Sequence, residues 1–126
     1  MIDAAKLRLL AARVRDVRDE DGIVYAMGVV GHDRIKIGRT RDPRQRLSHV
    51  QVGCPWEIVL VAVVRGGPVA EDLVQSALRH AHIRGEWYEM SHDAARAIFS
   101  ACGGGEPEAM YDAWAREAAS RAFGAA

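Results

Sequence analysis

The chain has 126 residues and a mass of 13.8 kDa, the size of a single domain. Its 49% hydrophobic and 27% charged residues exclude wholesale disorder, and Lys+Arg 17 against Asp+Glu 17 excludes a uniformly basic surface. The longest apolar stretch, Ile58 to Val64, is far too short to span a membrane, and the charge-studded N-terminus has no signal-peptide pattern, so a cytoplasmic location is expected. Cys54 and Cys102 show no metal or redox spacing and are expected to be free thiols.

Asp3 to about Glu20 reads as a helix, because Leu7, Leu10, Val14 and Val17 recur on one stripe. Asp21-Gly22 ends it. Ile23 to Val30 is apolar and β-branched and reads as a strand. After a turn at Gly31-His32-Asp33, Arg34 to Gly38 alternates with Ile35 and Ile37 inward, completing a β-hairpin. Asp42-Pro43 starts a helix that carries Arg46, Leu47 and Val50 and stops near Gly53. Trp56 to Val64 is the most hydrophobic run and reads as a third, central strand. Val69 to about His80 reads as a helix, Trp87 to Met90 as a short extended piece, and Ser91 to Ala101 as a serine-capped helix. A Gly103-Gly104-Gly105 linker leads to a last helix, Glu106 to about Phe123, with Met110, Tyr111, Trp114 and Ala118 on its apolar face. Trp56 and Trp87 are expected in the core.

These elements predict an α+β domain. A hairpin, a helix and a third strand form a small antiparallel or mixed three-stranded sheet flanked by helices, with extra helices at both termini. Residues 1–21 are expected to pack as a helix on a core of residues 22–90, and residues 91–126 to form a helical extension, within one domain.

Charge is concentrated. Between Arg34 and Arg46 stand six cations (Arg34, Lys36, Arg39, Arg41, Arg44, Arg46) and one acid, Asp42, a net +5 in a chain whose total is zero. Cations at a helix start oppose the helix dipole, a cost that a bound phosphate would reverse. A solvated strand face is the other reading of the same pattern. His80-x-His82 has the spacing of a ligand pair, but no Cys or third His is placed to complete a zinc site, so it reads as a solvated helix end.

Five segments in order carry more information. They are Val24-Tyr25, Lys36-Ile37-Gly38-Arg39-Thr40, Asp42-Pro43 with Arg46-Leu47, Gln51-Val52-Gly53-Cys54-Pro55, and Gly85-Glu86-Trp87-Tyr88. Together they resemble the core of the GIY-YIG nuclease superfamily, in its phage and bacterial branch with a KIG second motif and a Gly-Glu-Trp-aromatic motif. The resemblance spans about residues 22–90. It implies a metal-dependent endonuclease acting on DNA or another nucleic acid. Tyr25 matches the tyrosine of the first motif, Arg46 the helix arginine, and Glu71 the helix glutamate that binds Mg²⁺ or Mn²⁺. The chain departs from the pattern at Lys36, where the second motif has tyrosine, and at Gln75, where this branch has histidine.

Each residue type suits the chemistry. A divalent ion on Glu71 would supply a Lewis acid. Arg46 would bind the phosphate bidentately. Tyr25 would orient or deprotonate water, and as a base it would need cationic neighbours such as Lys36, Arg39 and Arg46 to lower its pKa. Lys36 would contact phosphate or join the catalysis, and His49, one turn from Arg46, is an alternative acid or base. Lys36, Arg39, Arg41 and Arg44 would guide the nucleic-acid backbone. Two rival readings stand beside this one. One is a nucleic-acid-binding module that has lost cleavage, motivated by Lys36 and Gln75. The other is a homodimer or partner-binding protein built through the terminal helices.

Overall fold

The computed structural model describes residues 2–122. The expected helix end at Phe123 and the side chain of Ala118 lie outside the described residues. The elements are α1 (Ala4–Asp16), β1 (Ile23–Val29), β2 (Arg34–Thr40), α2 (Pro43–Val52), β3 (Ile58–Arg65), α3 (Pro68–Ala77), β4 (His82–Arg84), β5 (Trp87–Glu89), α4 (His92–Ala101) and α5 (Pro107–Ala122), with a 3-10 turn at Arg79–Ala81 between α3 and β4. The class is the expected α+β.

The sheet is larger than the sequence suggested. Five antiparallel strands lie in the order β3-β1-β2-β5-β4. The third strand is therefore an edge and not the centre. It reads as central because both its faces are covered, by α4 on one side and by α2 and α5 on the other. Its outer rim is closed by Gly105, which exchanges backbone hydrogen bonds with Val63 in both directions. The expected helix to His80 stops at Ala77 instead, and His82 begins β4. That strand pairs with β5 through a two-residue turn in which Gly85 takes φ +55°, a conformation open to glycine.

Helices cover the sheet on both sides. Val24, Ala26, Ile35, Ile37 and Tyr88 point to one face, where α1, α3 and α4 contribute Leu10, Val14, Val74, Ile98 and Phe99 to the main core, joined by Leu78 just after α3. The intervening residues Tyr25 and Met27 point to the other face, into a smaller cluster with Ile58 and Val63, closed by Leu47 and Val50 of α2, Trp87, and Met110 and Trp114 of α5. Both faces of β1 are thus buried, so its sequence is a continuous apolar run and not an alternation. Trp87 joins a core cluster as expected. Trp56 does not: it is 57% exposed, because β3 starts two residues later and leaves Trp56 in the loop.

Capping fixes the helix starts, at Asp42 and Ser91 as expected and also at Asp3, and α1 ends at Asp16, short of the expected Glu20. Asp3, Asp42 and Ser91 each accept a hydrogen bond from the backbone N–H three residues on. Asp42 accepts a second bond from the Tyr111 hydroxyl at 3.1 Å, joining the start of α2 to α5. No helix among the described residues is long and apolar enough to cross a membrane.

Candidate active site

The site is built where β1, β2, α2, α3 and the β4–β5 turn meet. Tyr25 and Gly38 are register partners on β1 and β2. The tyrosine ring lies across the glycine: a methyl group on Gly38 would stand 2.5 Å from the Tyr25 hydroxyl and 3.2 Å from Glu86 Oε1. The glycine is needed here for close approach. Its absent side chain leaves the space in which the phenol and the carboxylate meet.

Glu86 comes from the β4–β5 turn. Its carbonyl accepts the Ile37 N–H at 2.9 Å, which pins the turn against β2 beside Gly38. Its carboxylate pairs with Lys36 at 3.1 Å. Glu71 comes from the first turn of α3 and pairs with Arg39 at 3.4 Å. The helix is held to β2 by Gln75, whose amide donates to the Ile37 carbonyl at 2.9 Å. Where the resembling branch has histidine, this chain thus has a tie between helix and strand.

The electrostatics place these groups together. The Glu71 carboxyl is raised above the usual carboxylate range, first by burial and then by the neighbouring Glu86 charge, against the lowering effect of Arg39. Tyr25 is pushed up to about 12, first by burial, then by Glu86; Arg46 lowers it, and Glu71 raises it further. Two carboxylates and one guanidinium therefore act on the phenol. The cations that were to lower its pKa are largely spent, since Lys36 and Arg39 are paired to the same two glutamates.

Tyr25 is 1% exposed. Among the described residues its hydroxyl makes no hydrogen bond to protein, and no buried side-chain oxygen or nitrogen lacks a partner.

The other expected residues divide. Arg46 is exposed on α2 and, of the six cations between Arg34 and Arg46, is the one in no ion pair among the described residues. Arg41 pairs with Asp21, and Arg34 with Glu89. Arg44 pairs with Glu108 at 2.8 Å and stacks over the Tyr111 ring at 4.2 Å, so α5 holds it. His49 is exposed one turn beyond Arg46 and is not among the charges acting on Tyr25. His82 packs edge-on to Tyr88 and bonds the Gly85 carbonyl at 2.8 Å, within the hairpin. Glu86 is the site residue that the sequence reading did not place in the site. The Gly-Glu-Trp-aromatic motif was its signal, and the tight turn that aims it was hidden by the shortness of β4 and β5.

A family model, described as the T5orf172 domain, matches residues 22–103. The chain belongs to the T5orf172 domain family. The T5orf172 match takes in the whole sheet and α4, and Tyr25, Gly38, Arg46, Glu71 and Glu86 all lie inside it. Membership makes the chain a phage-associated, nuclease-like or DNA-binding module. No curated protein and no solved structure matches it.

Proposed function

We propose that the chain is a metal-dependent endonuclease that hydrolyses DNA phosphodiesters through a GIY-YIG-like site. The observation that carries this reading is the meeting over Gly38 of the Tyr25 hydroxyl with the Glu86 carboxylate, with the Glu71 carboxylate coupled to Glu86 and the Arg46 guanidinium, in no ion pair among the described residues, acting on the same phenol. No group of three or more His, Cys, Asp or Glu side chains suited to a metal occurs among the described residues. Mg²⁺ does not require one, since it is commonly held by one or two carboxylates with waters and substrate phosphate. The donor set fits: two adjoining carboxylates, one of them raised by burial and then by the other's charge, gain from a shared cation. Glu71, with Glu86, would hold Mg²⁺ or Mn²⁺, which when bound supplies charge to a phosphoryl oxygen.

The chain's own groups do the rest. Arg46 binds two phosphoryl oxygens as charge develops. Lys36 fixes the Glu86 carboxylate by its ion pair. Tyr25 keeps its proton at neutral pH and orients water or phosphate by hydrogen bonding. Arg39, Arg41 and, once freed from Glu108, Arg44 exchange carboxylate partners for backbone phosphates. His49 can reach a strand laid across α2.

Plasmid and single-stranded DNA incubated with Mg²⁺, with Mn²⁺ and with a chelator test this. Cleavage should need metal, and Arg46→Ala or Glu71→Ala should each slow it by about 100-fold or more. Cleavage that survives both substitutions removes the assignment. A second reading, a DNA-binding module without cleavage, is favoured by the ion pairs that occupy Lys36 and Arg39 and by the strongly raised Tyr25. It predicts intact DNA and an affinity that falls steeply with salt.

A further inference from the structure

Beside the site, on the same sheet face, runs an open groove of about 720 Å³. Its floor carries Arg34, Lys36 and Trp87, one wall is the loop after α2 with Trp56, and the other is β4 with Ile83 and Arg84. Three features narrow its occupant. Its charged side chains are all cationic, with no carboxylate lining it. Two indoles line it, and Trp56 on one wall is 57% exposed while Ile83 on the other is 47% exposed, an apolar outlay unusual at a solvated surface. The loop that displays Trp56 is fastened: the Gln51 amide donates to the Cys54 and Trp56 carbonyls, and its oxygen accepts the Ile58 N–H at 2.8 Å.

A polyanion answers the cations, and flat apolar faces answer the indoles. A duplex offers the first but hides its base faces in the stack. We infer that the groove binds a single strand of nucleic acid, with unpaired bases against Trp56 and Trp87 and phosphates against Arg34, Lys36 and Arg84. Lys36 and Trp87 belong to the groove, while Lys36 also pairs with Glu86. A strand lying in the groove therefore leads its next phosphate to the Tyr25–Glu71–Arg46 site. The inference rests on the reading of this chain as acting on nucleic acid and adds the substrate form: unpaired or locally opened strands.

Fluorescence anisotropy on the full chain with chelator present, so that nothing is cut, tests it. The probes are a labelled oligothymidylate, an oligouridylate of equal length, and a duplex of equal length. Both single strands should bind about 10-fold or more tighter than the duplex, and they should quench tryptophan emission. Trp56→Ala should weaken single-strand binding about 5- to 150-fold with an unchanged melting temperature, and Trp56→Phe should restore part of it. Arg84→Ala should flatten the salt dependence by about one phosphate contact. A duplex preference, or single-strand binding indifferent to Trp56→Ala, overturns the inference. Preference over duplex for one of the two single strands alone still upholds the groove, and an oligodeoxyuridylate then tells whether the sugar or the base methyl makes the difference. Wild-type protein that binds single strands but cleaves nothing in either metal upholds the groove while ending the nuclease reading. Wild-type protein that cleaves without single-strand preference does the reverse.

Discussion

Gly38 carries the site by having no side chain. Alanine there would press on the Tyr25 hydroxyl at 2.5 Å and its ring carbon at 2.8 Å, with Glu86 Oε1 at 3.2 Å on the other side. The ring is held by the cluster beneath it, so the strain has few ways out. Gly38→Ala should cost roughly 1–3 kcal/mol in chemical denaturation, with cleavage falling further than stability alone explains. Tyr25 itself yields a pH prediction. Its pKa, raised from 10.0 to about 12, means that folding favours the protonated phenol. The native state then binds more protons than the unfolded chain between those two values. The contribution of Tyr25 to stability is constant below about pH 10 and is lost as pH rises towards 12. Ultraviolet titration of the metal-free protein should show tyrosine ionisation delayed beyond 10, since Tyr88 and Tyr111 are raised too, and Tyr25→Phe should remove the latest step. Tyr25, Arg46 and Glu71 were legible in the sequence because each sits in a motif of fixed spacing. Glu86 was not, because its place depends on a backbone bond from Ile37 across 49 residues of chain.

Among the elements, the loop from Gly53 to Glu57 shows how one side chain replaces a ladder. Gln51 bonds three backbone groups between Cys54 and Ile58, two as donor and one as acceptor. Gln51→Ala should lower stability by about 1–3 kcal/mol, since the half-buried Ile58 N–H loses its partner, and it should let Trp56 wander, broadening its emission. The long elements were legible because their periodicity extends over two turns or more, and the caps at Asp42 and Ser91 are spelled in the sequence. The β4–β5 hairpin was not. His82-Ile83-Arg84 is three residues long, too short to show a period of two, and it follows a helix whose pattern runs into it. Trp56 was misjudged for a related reason. An indole beside an apolar run reads as part of that run, and only the position of the Gln51 staple shows that the strand starts after it.

Across the whole molecule, the net +5 segment is answered by acids brought from elsewhere in the chain: Glu89 to Arg34, Glu86 to Lys36, Glu71 to Arg39, Asp21 to Arg41 and Glu108 to Arg44. Most of these pairs are exposed and each adds little to stability. Their effect is to make the basic edge exchangeable, so DNA affinity should fall with salt less steeply than six free cations would give. The two thiols report on the fold as a unit. Cys102 is buried at the end of α4, and burial pushes it up to about 11, while Cys54 is partly exposed. A mild alkylating reagent near neutral pH should label Cys54 first and reach Cys102 only on global opening, which mass spectrometry can follow.

The two outer helices have a practical bearing. Leu10, Ala11 and Val14 of α1 are buried against α3 and α4, and α5 supplies Met110 and Trp114 beneath Tyr25 and the Tyr111 bond to Asp42. Both helices lie outside the span 22–103 that the family model matches. A recombinant fragment trimmed to that span would display two freshly uncovered greasy surfaces and lose a prop under its tyrosine. It should come out of bacteria largely as inclusion bodies, so anyone wanting an assay-worthy sample should keep the flanks.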